Sequence, residues 1–426
     1  MNITFCINTA RNERHHIELL FRSLYKNLSN RNYPILVYVE NDNQGTVDFL
    51  KTQKEHFPNL KVIINPLPVP IGYARNINLM FEMAETDFVS YLQSDMVIGP
   101  LYDLELAKHL APGRIISSTR IEPPLHPPSP EKITHDFGLD PQNFNLEAFS
   151  AFAETQKKNE ITHYWFAPFT LYKKDWLDIG GHDTLFRRSR EDSDLLYRFT
   201  MKGMKIDQVW NAIVYHFTCT SSRGIEWWTE KAKQRTALQQ QADTVEMTRF
   251  MRKWPRFKHD TEFNPQQEYK YHVAANIRNV TWNTASSIFQ NHFRFSKIYI
   301  ENPDIRSNLQ VSFAQLHDFA NRLLDINQVQ WELFKKYYHT EAPNTIFVDS
   351  PLGDEDCVLD LDMTQVSPNV FIDPEIVQLN DIIHASEPGQ YECAKGVLTI
   401  NRVVNRIQEN LVVKNPPIDD INFTIL

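Results

Sequence analysis

Hydrophobic and polar positions follow two rhythms through about the first 110 residues. Ile3 to Ile7, Ile35 to Val39, Leu60 to Ile64 and Phe88 to Leu92 are short runs of β-branched, aliphatic and aromatic residues, which predicts four strands. Between them the apolar residues fall at helical spacing. Ile17, Leu20, Phe21, Leu24 and Leu28 line one face of a helix that Asn12 would cap, and Ala74 to Met83 predicts another helix. Strands alternating with helices imply a mostly parallel sheet covered by helices, so the fold class is α/β and the chain opens with a βαβ unit.

Farther along, Phe166 to Tyr172 reads as a strand, Asp192 to Lys202 as a helix, Ile213 to Phe217 as a closing strand and Trp227 to Trp254 as a long polar helix. The stretch Glu122 to Pro130 holds five prolines, each lacking an amide hydrogen and restricting its predecessor, and predicts a surface loop. The polar segment Phe257 to Tyr269, with Pro265, reads as a linker. The expected organisation is a first domain over 1–255 that includes the long helix, a linker over 256–270, and a second, α+β domain over 271–426. That second domain has a helix at Phe313 to Phe334 and a strand-then-helix at Val397 to Ile407.

The bulk numbers fit this division. A chain of 426 residues, 42% hydrophobic and 12% aromatic, exceeds one ordinary domain and has enough apolar mass for real cores. The formal net charge of -9 argues against a protein whose main task is to wrap nucleic acid, so any DNA contact would be local. Cys6, Cys219, Cys357 and Cys393 have no C-x-x-C spacing, which indicates neither a zinc knuckle nor a disulfide framework. The N-terminus enters a strand pattern at once, and no segment reaches the apolar length of a membrane span, so the expected location is the cytoplasm.

Three polar positions carry candidate chemistry. Asp95 follows the fourth strand, where an α/β sheet keeps its ligands, while Glu191-Asp192 and His216 are placed to converge on the same sheet edge. An acid for a metal, an acid for proton transfer and a late imidazole suggest a metal-dependent group-transfer enzyme. Simpler readings stand beside this one. Acids in a first helical turn are favoured by the helix dipole whatever their chemistry, and the alternative for a histidine on an apolar strand is a satisfied core residue.

Taken in order, Thr9-Ala10-Arg11-Asn12-Glu13, Glu40-Asn41-Asp42-Asn43, Gly72-Tyr73-Ala74-Arg75-Asn76, Gln93-Ser94-Asp95, Gly180-Gly181-His182-Asp183, Glu191-Asp192 and Val214-Tyr215-His216 resemble the inverting glycosyltransferases of family 2, over about residues 1 to 220. The resemblance implies a GT-A fold, a Rossmann-like nucleotide-diphospho-sugar transferase domain, moving a sugar from a UDP-sugar to a hydroxyl. Glu40 or Asp42 would read the uracil, Arg75 would meet the nucleotide, and Thr9, Glu13 and Ser94 would complete the nucleotide site. A carboxylate accepts from a base N–H, and a guanidinium neutralises phosphate or stacks on a ring.

Asp95 matches the last acid of the family's Asp-x-Asp metal motif, but Gln93 stands where the first acid is usual. The resemblance leaves Asp95 and His216 as metal ligands, with Mn2+ favoured over Mg2+ by the nitrogen ligand. Asp192, with Glu191 beside it, takes the role of general base. Tyr164, Trp165 and Phe166 would shape the acceptor side, or are core aromatics.

The run Thr218 to Gly224 would close over the phosphates or is a plain loop, and the basic stretch from Lys231 to Lys258 reads best as a solvated helix face. Six acids between Asp349 and Asp362 lack the spacing of a calcium loop and read as an acidic surface loop. The expected role of the second domain is acceptor recognition or self-association into a homo-oligomer. The acceptor stays open among glycan, protein and hydroxymethylated DNA base. Two competing classes remain: a sugar-nucleotide pyrophosphorylase, disfavoured because Thr9 to Glu13 contains no glycine for a phosphate loop, and a non-catalytic glycan- or nucleic-acid-binding module.

Overall fold

A computed structural model of the chain describes residues 2–426 except 11–12, 69, 126–127, 188, 219–245, 247–248, 251–252, 255–272, 293–294, 323–345, 366–386, 394–395, 404–408 and 418–420. The first half alternates as its periodicity predicts: β1 (Ile3–Thr9), α1 (Arg14–Asn27), β2 (Ile35–Val39), α2 (Thr46–Gln53), β3 (Leu60–Ile64), α3 (Tyr73–Met83) and β4 (Phe88–Gln93). It continues through β5 (Met96–Ile98), α4 (Tyr102–Ala107), β6 (Arg114–Glu122), β7 (Lys132–Thr134), α5 (Leu146–Gln156), β8 (Ile161–Thr162), β9 (Phe169–Tyr172), α6 (Lys173–Asp178), α7 (Glu191–Met201) and β10 (Lys205–His216).

These strands join one sheet in which β3, β2, β1 and β4 lie side by side and parallel, followed by β9, β6, β10 and β5. Every position of β1 and β2 is buried, as expected of parallel strands covered on both faces. Ile17, Leu20, Phe21 and Leu24 of α1 enter the same core as Phe5, Ile7, Val37 and Leu92. Truncating one such aromatic, Phe5→Ala, would cost about 3–5 kcal/mol.

Several boundaries differ from the sequence pattern for local reasons. The strand expected at Phe166 begins at Phe169, because Pro168 has no amide to donate. The closing strand is longer, from Lys205, and shifts register between Val209 and Ile213. Glu122, expected in the proline-rich loop, is the buried last residue of β6. The expected cap Asn12, most of the long basic helix and the linker lie outside the described residues.

A second, six-stranded sheet comprises β11 (Val273–Arg278), α8 (Trp282–Asn291), β12 (Ile298–Ile300), α9 (Pro303–Arg322), β13 (Phe347–Val348), β14 (Cys357–Asp362), β15 (Gly389–Cys393) and β16 (Gly396–Ile400). Its order is β13-β12-β11-β14-β16-β15, parallel through the first four and antiparallel beyond. The core is its own, built on Val273, Ile277, Ile288, Ile298, Phe313 and Leu359. The helix expected from Phe313 starts earlier, at Pro303, where Asn302 accepts the amides of Asp304 and Ile305.

The end of the chain then leaves this sheet. Leu411 joins Phe186, Tyr197, Phe250 and Trp254 in a small core, Ile421 enters the main core of the first sheet, and β17 (Thr424–Ile425) pairs antiparallel with β3. The last segment thus packs with the first sheet. Among the described residues no helix is long and apolar enough to cross a membrane.

Candidate active site

The strand order reverses between β1 and β4: the chain steps outward through β2 and β3 on one side of β1 and returns on the other at β4. A crevice outside the carboxyl ends of such strands is the ligand position of open α/β sheets. From β1 it receives Thr9 and Glu13, and from β4 Ser94 and Asp95, all buried. The two sides are tied together. Ser94 Oγ donates to Glu13 Oε2 at 2.5 Å, the Ala10 amide donates to the same oxygen at 2.8 Å, and Tyr91 Oη donates to Asn8 Oδ1 at 2.8 Å.

The acids here are held in unlike states. Burial pushes Glu13 up to about 7, and the Asp95 charge adds to this against the hydrogen bonds from Ser94 and Ala10. Glu40, just past β2, is likewise pushed up by burial to about 7, although the Ile71 amide, Tyr38 Oη and Asn65 Nδ2 all donate to its Oε1. For Asp42, burial is outweighed by amide donors from Val47, Thr46 and Gln44, and its carboxyl is lowered. Its two oxygens anchor the first turn of α2, so of the two acids expected to read a base, Asp42 is committed to the fold. Arg75 lies buried in the first turn of α3, at the end of the loop that supplies the Ile71 amide.

Asp95 and His216 meet because β5 and β10 are antiparallel with Met96 opposite His216, and the Phe217 amide donates to Asp95 O at 3.0 Å. His216 Nε2 stands 3.8 Å from Asp95 Oδ2, and its Nδ1 stands 2.9 Å from Glu122 Oε1. Glu122 in turn pairs with Arg120 Nη1 at 3.0 Å and Lys132 Nζ at 3.0 Å. Burial opposes its charge, but His216, Arg120 and Lys132 together hold its carboxyl far below the usual range. One carboxylate oxygen and one imidazole nitrogen 3.8 Å apart would suit a small divalent cation. No group of three side chains able to hold a metal occurs among the described residues.

Glu191 and Asp192 open α7, ahead of which comes the turn Gly180-Gly181-His182-Asp183. Both glycines are required there. They have φ of 77° and 73°, and an added Cβ would lie 2.0 Å from Val413 O at the first and 2.5 Å from the Trp176 ring at the second. His182 is a core acceptor for Trp176 Nε1 at 3.1 Å, its own pKa lowered to about 3 by burial and the Arg198 charge.

Burial and the neighbouring Asp192 carboxylate raise Glu191, whose Oε2 is buried with no hydrogen-bond partner. Asp192 Oδ1 accepts from the Ser193 amide at 2.6 Å. Tyr91 lies on β4. Its hydroxyl, raised first by burial, is also raised by the charges of Tyr73, Glu191 and Asp95.

Of the expected acceptor-side aromatics, Trp165 is buried against Phe169 and Phe166 lies under the Arg120 guanidinium at 3.7 Å. Thr218 is buried, while the rest of the run to Gly224 and most of the basic stretch fall outside the described residues. In the acidic segment, Asp360 accepts from Asn276, Glu355 pairs with Lys297 and Asp356 with Arg402, so these acids are anchored in the second sheet. The residues that sequence reasoning missed are Glu122, Arg120 and Lys132. Their only signal was two charges, Arg120 and Glu122, alternating with Ile121 at the edge of the proline-rich stretch.

Residues 6–180 match the pattern of Glycosyl transferase family 2. Over those residues the chain is similar to family 2 glycosyltransferases. Residues 181–426 lie outside the match. No curated protein matches it. Among solved structures, the mannosyltransferase PcManGT from Pyrobaculum calidifontis, in complex with GDP-Man and Mn2+, aligns over 79% of this chain and 79% of its own, at 12% identity and a TM-score of 0.40. S. aureus TarS 1-349 aligns over 79% of this chain and 92% of its own, at 15% identity and a TM-score of 0.37. GalNAc-T7 with UDP, GalNAc and Mn2+ aligns over 50% of this chain at 12% identity and a TM-score of 0.38, and only 43% of that structure is covered. The chain spans less than half the length of this last protein.

Proposed function

We propose that the protein is a glycosyltransferase, a metal-dependent inverting enzyme that moves a sugar from a UDP-sugar to a hydroxyl acceptor. The observation that carries the reading is the pairing of Asp95 Oδ2 with His216 Nε2 at 3.8 Å, beside the β1/β4 crevice. A divalent cation bound there supplies charge stabilisation for the departing diphosphate. Glu40, buried and pushed up to about 7, is the better candidate for the nucleobase, because a carboxyl that keeps its proton both donates and accepts. Arg75 adds positive charge from the start of α3.

Asp192 takes the proton of the acceptor hydroxyl as that oxygen attacks the anomeric carbon from the face opposite the leaving group, which inverts the configuration. Glu191, raised by burial and by Asp192, holds its proton beside the base. The aromatic Tyr164 would border the acceptor.

The test is UDP release with Mn2+ from a panel of UDP-sugars and hydroxyl acceptors, with the anomeric configuration of the product read by NMR. An inverted product supports the reading. A retained product, or transfer at full rate in chelator, sinks it.

A further inference from the structure

We propose that Glu122 is a positioning residue that fixes the His216 imidazole with its Nε2 lone pair turned toward Asp95. The inference rests on the reading of Asp95 and His216 as a cation site and extends it to a residue outside the family's motifs. Glu122 closes β6, and Lys132 reaches it from β7, which pairs with β6 so that Arg120 faces Lys132 and Glu122 faces Thr134. Arg120 Nη1 and Lys132 Nζ each stand 3.0 Å from the Glu122 carboxylate, one on each oxygen, and all three side chains are over nine-tenths buried.

A carboxylate clamped by two cations has no proton to offer and only accepts. The 2.9 Å contact with His216 Nδ1 is therefore made by an Nδ1–H donor, which in a neutral imidazole leaves a lone pair on Nε2. That lone pair and Asp95 Oδ2 face each other at 3.8 Å, two acceptors with a gap less than twice the roughly 2.1 Å ligand distance of a small divalent cation. Carboxylate, histidine and cation in a row is the arrangement by which proteins set the ring orientation of a ligand histidine.

The experiment uses the full chain and two readouts. In the metal-free protein, 15N NMR of the His216 ring reports the tautomer, and the expected form is Nδ1–H. Titration with Mn2+ alone, followed by loss of the free-ion EPR signal, is then compared among wild type, Glu122→Gln, Glu122→Asp and His216→Ala. Glu122→Gln is expected to weaken Mn2+ binding by roughly 10- to 100-fold. Glu122→Asp keeps a charge for Arg120 and Lys132 but retracts from His216, so it carries the test if the Gln variant does not fold, and the same direction is expected.

An Nε2–H tautomer in the wild type overturns the proposal. So does unchanged Mn2+ affinity in a folded Glu122 variant while His216→Ala loses it, and that result leaves the cation site itself standing. A wild type that binds no Mn2+ overturns both.

Discussion

The turn that precedes the candidate base is held by the last segment of the chain, and Asn415→Ala tests that hold directly. Asn415 Oδ1 accepts from the Thr184 amide at 3.0 Å, and its Nδ2 donates to Gly180 O and His182 O, both at 2.9 Å. His182 O retains a second donor in Asn78 Nδ2 at 2.9 Å, so the variant strands the Thr184 amide and Gly180 O. At about 1 kcal/mol for each neutral bond lost, with an added penalty where the partner is shielded from water, the local loss is about 2–3 kcal/mol.

Because 1.4 kcal/mol is a factor of ten, local opening should rise about 30- to 140-fold. The assay is native-state hydrogen exchange at Val413, whose amide donates to Ile179 O at 3.0 Å, and at Gly181, whose amide donates to Trp176 O at 3.0 Å. Leu426, bonded to Val62 O at 2.8 Å, serves as the reference. Faster exchange at Val413 and Gly181 with Leu426 unchanged is expected. Unchanged protection at Val413 would refute the idea that the tail holds this turn.

Two further outcomes follow from the site. Asp192→Asn is expected to lower the transfer rate by roughly 10²- to 10⁴-fold with UDP affinity unchanged, read from steady-state kinetics and calorimetry, and a near-normal rate removes Asp192 as base. Glu40 contributes a pH dependence of known sign: its folded value of about 7 lies above the ordinary 4.5, so the folded state binds the extra proton between these values. The associated stability is complete below 4.5 and is lost as pH rises through 7, at most about 3 kcal/mol. Urea midpoints of the metal-free protein should therefore fall from pH 5 to pH 8, and Glu40→Gln should flatten that fall; an unaltered slope counts against a buried, protonated Glu40.

The parallel half of the first sheet was legible because β1 to β4 are apolar runs separated by helical periodicity, and this placed Asp95 at a strand tip before any coordinates. The same logic passed over β6, Arg114–Glu122, whose Ser117, Ser118, Thr119 and Arg120 read as polar yet are all buried. They are satisfied by partners distant in sequence: Ser117 Oγ donates to Phe166 O at 2.6 Å, Ser118 shares a hydrogen bond with Tyr102 at 2.8 Å, and Thr119 accepts from Gln208 Nε2 at 2.9 Å. No local pattern announces such a strand.

Glu122 was hidden for the same reason, being read with the prolines that follow it rather than with the strand it ends. The return of the tail to β3 depends on pairing across more than three hundred residues, which periodicity does not encode. Asp42 carries a structural task that the sequence pattern did not announce: its oxygens accept the Thr46 and Val47 amides and anchor α2.

The most direct test of the account is UDP binding by calorimetry, with and without Mn2+, in the wild type and in Asp95→Ala. The account predicts that UDP binds the wild type far more tightly with Mn2+ than in chelator, and that Asp95→Ala removes this difference. Equal UDP affinity with and without the metal in the wild type, or an undiminished Mn2+ effect in Asp95→Ala, would contradict it.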